Sequence, residues 1–357
     1  MKGRVVVLDH LQGHEAAALM VDGRLHDFLI AGPGPVPLPG TLYRARAEKA
    51  LKGGGGAFMQ TPAGRGFLRQ AKGISPGTWH LVQVSGYAEA GKAIPLGSQL
   101  CLKGRCAILT LDAPGVHLSR RLEDRALRTR LQERARALLE PFGFGCILRS
   151  ACAHTEDATI TREILALRTR AADLRKQRGC APPPAPVELL RGEGPHLRAH
   201  RDWAEPAEVV HSPGCFEIHG VMEALEAVLH PRESLPSGGS FFVEPTRALV
   251  AIDVNTGGDS SRVAGLKANL DCARALPLAL RLRGLGGQIV LDLAPMARKD
   301  RPLFERALRA AFRHASEPTA LVGWTPLGHY ELQRKRGRMP VAQVLGLGGL
   351  GGLGAKP

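Results

Sequence analysis

The residues best suited to chemistry are two aspartates that end apolar runs. In LVAIDVNTGG, residues 249–258, Asp253 follows four apolar residues and Asn255 stands two places on. In GGQIVLDLAPM, residues 286–296, Asp292 ends a second apolar run. Side chains alternate along a strand, so Asp253 and Asn255 share a face. A helical stretch over about 264–283 separates the runs. Strand, helix and strand in that order bring both carboxylates to the same end of one sheet. Two close anions repel, so one takes a proton or a cation sits between them. An all-oxygen set suits Mg²⁺, which keeps several waters and accepts one or two carboxylates plus a phosphate oxygen. Such a metal activates water and offsets charge developing on a phosphodiester. Either aspartate alone reads as a turn cap or an arginine partner. The two together, in a basic chain, favour metal-assisted phosphodiester chemistry.

The elements that must position these residues belong to a chain of 357 residues, enough for two or three domains. Lys and Arg number 48 against 33 Asp and Glu, a net charge of +15. That excess points to a polyanionic partner, nucleic acid before an anionic membrane. The richness in Ala, Arg, Gly and Leu also fits a GC-rich coding bias. No apolar run is long enough to span a bilayer. The start, MKGRVVVLDH, is too short in its apolar part for a signal peptide and meets Asp9 at once. A cytoplasmic location is therefore expected. The seven cysteines form no C-x-x-C pair and read as reduced thiols, mostly small core residues, rather than a zinc site.

RVVVLDH and AAALMVDGRLHDFLI alternate like strands, with a hairpin turn at VDGR. The Gly/Pro-rich AGPGPVPLPG, residues 31–40, marks a boundary. GAFMQ, GRGFLRQ, WHLVQVSGYA and CAILTL are short strands between glycine turns, the pattern of a small β-barrel. Phe58 and Phe67 on that barrel are natural stacking platforms for bases, with Arg65, Arg69 and Lys72 to follow a phosphate backbone; as core residues they would be equally ordinary. Two arginine-rich helices follow, the first capped by Ser119, and CAPPPAP, 180–186, is a rigid linker. Pro277 is expected to kink or end its helical segment. DRPLFERALRAAFRHA reads as an amphipathic helix starting at Asp300 and Pro302. The glycine- and leucine-rich tail is low-complexity and expected to be disordered.

The sequence resembles the catalytic half of the ribonuclease E/G family. LPSGGSFFVEPTRALVAIDVNTG, 235–257, and ANLDCARALPLALRLRGLGGQIVLDLAPM, 268–296, carry the resemblance, with LGHYELQRKR, LSRRLE and GCILRSA in order around them. The resemblance implies an α/β multi-subdomain chain. Its RNase H-like fold, 1–36 and 196–229, would be interrupted by an S1-type (OB) barrel at 37–107 and a 5′-sensing region at 108–195. A DNase I-like catalytic α/β region at 230–340 and a tail at 341–357 would follow. It implies that Asp253 and Asp292 hold Mg²⁺ and that Asn255 orients one of them. It also implies that Arg149 and Ser150 bind a 5′-monophosphate, and that Phe58, Phe67 and Lys92 bind single-stranded RNA. The expected activity is Mg²⁺-dependent endoribonuclease cleavage in RNA processing or decay. Three features depart from the family pattern: Pro295 where another acid usually stands, Pro277, and the lack of the zinc-linking C-x-x-C and of the long C-terminal scaffold. A zinc-linked tetramer is therefore not implied; a monomer or another homo-oligomer is expected. Pro295 favours, as the alternative, a non-catalytic RNA-binding protein with a degenerate site. A DNA nuclease is the other rival; a membrane-surface protein is disfavoured because the leucines of 122–139 look committed to packing.

Overall fold

The structure is a computed structural model that describes residues 3–51, 55–69, 73–89, 91–259, 261–313 and 315–347. It divides into two compact units: Met1–Pro33 with Glu208–Pro357, and the intervening Gly34–Ala207.

The first unit holds two sheets. Arg4–Leu11, His14–Val21 and Arg24–Ile30 form an antiparallel meander, and Glu208–His211 adds to its edge in parallel with Arg4–Leu11. The hairpin turn lies where VDGR predicts it. Asp22 and Gly23 both have positive φ, 49° and 76°, the two-residue turn whose twist matches its strands. The second sheet has six strands in the order Arg232–Ser234, Ser240–Pro245, Val250–Asn255, Gly287–Asp292, Tyr330–Arg334, Thr319–Trp324. Only its central pair, Val250–Asn255 with Gly287–Asp292, is parallel. Helix Arg262–Leu282 makes the crossover that a parallel pair requires. Val250, Ile252, Val254, Ile289 and Leu291 face inward against Ala268, Cys272, Leu276 and Leu280 of that helix. Burial of this apolar face at roughly 25 cal/mol per Å² is what fixes the strands in place.

Pro277 does not end this helix, which runs through it to Leu282. Proline removes one backbone hydrogen bond. The buried Leu276, Ala279 and Leu280 around it hold the turn in the core regardless. A buried ion pair ties the two sheets of this unit. The Arg338 guanidinium, after the last strand, grips the Asp27 carboxylate on Arg24–Ile30, and its Nε lies 3.4 Å from Glu317 Oε1. The segment after residue 340 begins as a helical turn, Val341–Val344, with both valines buried. That turn reaches the start of the stretch expected to be disordered; residues 348–357 lie outside the described residues.

The second unit contains a closed five-stranded barrel: Leu42–Ala50, Gly56–Thr61, Gly64–Arg69, Ile94–Gly97 and Trp79–Val84, the last pairing back to the first. Val187–Leu190 extends it at Leu42–Ala50. Ala45, Ala47, Ala57, Met59, Leu68 and Val82 fill its interior together with the larger Tyr43. CAILTL, expected as a barrel strand, is not one. Ala107–Thr110 pairs with Cys101–Lys103 and Gly145–Leu148 in a separate four-stranded sheet that Gly115–Leu118 completes. Helices Arg125–Leu139 and Asp157–Lys176 bury Leu131, Leu139, Ile160 and Ile164 against that sheet's core. The first helix is capped by Asp124, whose carboxylate accepts from the N–H groups of Ala126 and Leu127 at 2.8 and 3.1 Å. Ser119, the expected cap, accepts instead from the Arg121 N–H. Residues 196–207, expected with the RNase H-like part, cluster with this unit.

All seven cysteines are free thiols, five of them buried. Among the described residues no helix is long and apolar enough to cross a membrane.

Candidate active site

Alternation along Val250–Asn255 turns Val250, Ile252 and Val254 into the core and leaves Asp253 and Asn255 exposed on the opposite face. Gly287–Asp292 does the same, with Ile289 and Leu291 inside and Asp292 out. The parallel register then sets Asp253 directly beside Asp292, with strands spaced about 4.8 Å apart. Asn255 Nδ2 donates to Asp253 Oδ2 at 2.9 Å. The three residues named from sequence thus stand together at one end of the sheet. Among the described residues neither carboxylate forms an ion pair with a lysine or arginine, in a chain with a net charge of +15. Two adjacent carboxylates left without a guanidinium match the hard, oxygen-rich and water-accessible donor set of Mg²⁺. No group of three or more His, Cys, Asp or Glu side chains able to hold a metal occurs among the described residues, so waters or substrate oxygens would complete such a shell.

Two residues of this edge escaped sequence reasoning. Asn269, fully buried on helix Arg262–Leu282, donates from Nδ2 to the Ala294 carbonyl at 2.8 Å and accepts from the Ala294 N–H at 3.0 Å. It thereby holds the chain two residues beyond Asp292. One turn earlier, a Cβ on Gly265 would come within 2.1 Å of the Pro295 carbonyl, so glycine permits this close approach of loop to helix. Pro295 itself is exposed. The second residue is His329, whose Nδ1 lies 3.3 Å from Asp292 Oδ1. A polar residue on the apolar face of the helix was the available signal for Asn269. For His329 there was none, because its place depends on which strand lies beside Gly287–Asp292.

On the barrel, Phe58 and Phe67 lie opposite each other on neighbouring strands, with ring centroids 5.2 Å apart. Both are half-buried and outward, between the inward Ala57, Met59 and Leu68. They are therefore a surface pair and not barrel core. The Arg65 guanidinium covers the Phe58 ring at 4.0 Å and pairs with Glu48 at 3.1 Å. Arg69 is exposed at the end of its strand; Lys72 lies outside the described residues. Lys92 is exposed in the loop leading into Ile94–Gly97, the strand beside Phe67, and is paired with Glu89.

Arg149, expected at a 5′-monophosphate, lies in the second unit. Much of its guanidinium is engaged inside the unit. Nη1 donates to the carbonyls of Gly104 and Arg201 at 2.7 and 3.2 Å, and Nη2 to Asp202 Oδ1 at 2.8 Å. Arg198 and Arg201 hold the same carboxylate. Burial would push the Asp202 pKa up; the Arg201 hydrogen bond and charge, joined by Arg149 and Arg198, outweigh it and hold the group below the usual carboxylate range. Ser150 opens the adjoining 3₁₀ turn, Ser150–His154. Three of the five guanidinium N–H donors are thus engaged, which leaves two.

Barrel, helices and the paired carboxylates at a parallel strand edge define a mixed α/β protein with an OB-like module and an acidic site. The sequence profile of the Ribonuclease E/G family matches residues 101–210 and 198–337. The chain belongs to the Ribonuclease E/G family. It is 27% identical over 401 residues to Ribonuclease E of Nostoc sp., covering 95% of this chain and 57% of that protein. It is 29% identical over 332 residues to Ribonuclease E of Synechocystis sp., covering 78% of this chain and 48% of that one. With Ribonuclease G of Haemophilus influenzae the identity is 24% over 389 residues, 92% of this chain and 78% of that protein. The chain therefore spans about half the length of the two cyanobacterial relatives.

Proposed function

We propose that the chain is an endoribonuclease that cleaves single-stranded RNA with Mg²⁺ at Asp253 and Asp292, in RNA processing or decay. The observation that carries this reading is the register that sets Asp253 beside Asp292 with neither paired to an arginine among the described residues. Family membership and the names of the relatives support the reaction class. Mg²⁺, when bound, would lower the pKa of a water and offset the charge that builds on the scissile phosphate. The chain's own part is to hold the two carboxylates a strand spacing apart on a rigid floor. Asn255 fixes the rotation of Asp253 through its Nδ2 donor. Attack of water on phosphorus would then break the bond to the 3′ oxygen and leave a 5′-phosphate on the downstream product.

Phe58 and Phe67 would stack bases without selecting them, and Lys92 and Arg69 would meet phosphates. The two donors left on Arg149, with the Ser150 hydroxyl, would receive a 5′-monophosphate, a charge-assisted contact that a 5′-hydroxyl cannot make. The meander with its parallel fourth strand supports an RNase H-like part, the barrel an S1-type part, and the six-stranded sheet a DNase I-like catalytic region.

The test is a gel assay of a 5′-monophosphorylated single-stranded RNA with and without Mg²⁺, using wild type, Asp253→Asn and Asp292→Asn. Both variants should lose Mg²⁺-dependent cleavage and keep RNA binding. Undiminished turnover in either one would remove the proposed site. A matched DNA strand tests the preference for RNA. A 5′-hydroxyl RNA cut as fast as the 5′-monophosphate form would remove Arg149 and Ser150 from the substrate contacts.

A further inference from the structure

The acidic pair has a neighbour on its other side. Tyr330 stands opposite Leu291 in the antiparallel ladder, so one step further places His329 opposite Asp292, away from Asp253. The row across three strands reads Asp253, Asp292, His329, with Asn255 next to Asp253 on its own strand. The histidine is built into place. Its backbone N–H donates to Thr325 Oγ1 at 3.1 Å, and its carbonyl accepts from the Thr325 N–H at 2.8 Å. Tyr330, the next residue, is buried and packs edge-on against Phe304 and Trp324, with centroids 5.7 and 5.0 Å away. That cluster anchors the turn that carries His329. Asp292 needs such a hold, because its side chain is 70% exposed and would otherwise rotate freely.

On the reading above, that the pair holds a divalent cation, we propose that His329 is a positioning residue for Asp292. His329 Nδ1 lies 3.3 Å from Asp292 Oδ1, near enough for an imidazole with its proton on Nδ1 to turn onto that oxygen and leave Oδ2 for the cation. Asn255 already donates to Asp253 Oδ2 at 2.9 Å. Each carboxylate thus has one nitrogen beside it, an amide on one strand that donates to it and an imidazole two strands across that lies within reach. The imidazole acts on the carboxylate and is not itself a ligand: no metal-binding group of three such side chains forms among the described residues. Partners of this outer kind orient the ligand and commonly contribute about 10- to 100-fold in metal affinity. The cation class stays hard and divalent, Mg²⁺ or Mn²⁺, because the ligand atoms remain oxygens.

The experiment is an EPR titration of Mn²⁺, with Mg²⁺ as competitor, on the full chain as wild type, His329→Leu, His329→Asn and Asp253→Asn. Asparagine places an amide N–H close to where Nδ1 stands. His329→Leu should bind Mn²⁺ about 10- to 100-fold more weakly, and His329→Asn should recover most of that loss, with both variants matching wild type in circular dichroism. Equal affinity in His329→Leu, or an asparagine variant no better than leucine, overturns the assignment. So does a ¹⁴N coupling to bound Mn²⁺ that vanishes in His329→Leu, which would make the imidazole a direct ligand. Failure of the underlying cation reading shows separately, as Mn²⁺ binding that Asp253→Asn leaves unchanged.

Discussion

Replacing Asn269 tests how the sheet edge that carries Asp253 and Asp292 is held. The side chain is fully buried and makes two hydrogen bonds to one residue, Ala294, which is itself 4% exposed. Asn269→Ala strands the buried N–H and C=O of Ala294 together. Each unsatisfied buried backbone group costs about 1–3 kcal/mol, so the variant should lose roughly 2–6 kcal/mol. The cavity left by the amide adds to that loss. Against a total of about 5–15 kcal/mol for a folded domain, this is a large fraction. Asn269→Asp should be no better near neutral pH. It keeps an acceptor for the Ala294 N–H but sets a buried carboxylate oxygen against the Ala294 carbonyl. Urea denaturation followed by tryptophan fluorescence reads the effect, with Cm falling and m unchanged. A loss below about 1 kcal/mol would refute the reasoning, because it would mean that these backbone groups find other partners at little cost. Cleavage should fall as well in the folded fraction, since the same bonds locate the chain just after Asp292.

Phe58→Ala and Phe67→Ala should each weaken single-stranded RNA binding by about 1–3 kcal/mol, roughly 5- to 150-fold in fluorescence anisotropy, with little change in melting temperature because both rings are half-exposed; unchanged affinity in both would exclude this face. Asp202 has a folded pKa below its unfolded value, so it contributes stability above about pH 4 that is lost as pH falls below that value toward the folded pKa. Thermal melts from about pH 5 to about pH 2 should therefore show a shallower acid decline in Asp202→Asn than in wild type, and parallel declines would contradict the linkage. Asp27→Asn should cost about 3–5 kcal/mol by leaving the buried Arg338 short of its main partner. Asp27→Asn with Arg338→Met should cost less than Asp27→Asn alone, as a double-mutant cycle would show.

The site was legible in part because its first half is a local matter. Period-two alternation from Val250 to Asn255 is enough to put Asp253 and Asn255 on one face, and the same alternation separates Phe58 and Phe67 from Ala57, Met59 and Leu68. The Asp22–Gly23 turn is likewise written in two residues that tolerate positive φ. Ser119 and Asp124 both lie at the start of a helix with suitable oxygens, and local reading named the wrong one. CAILTL has strand character wherever it goes; its membership of the second sheet rests on partners at Gly145–Leu148. Arg149 offers the same five donors in any fold, and only the fold brings Asp202, 53 residues on, to take one of them.

Alternation, turn type and the place of each aspartate at the end of its own apolar run are properties of a few consecutive residues, so the amino-acid sequence alone determined them. Tertiary structure decided which strand lies next to which, and with it the place of His329 beside Asp292, the grip of Asn269 on Ala294 and the engagement of Arg149. The physical reason is range. Backbone propensity acts over a handful of bonds, whereas a hydrogen bond or an ion pair is equally strong whether its partners are two residues apart or fifty, and nothing nearby in the chain announces the distant one.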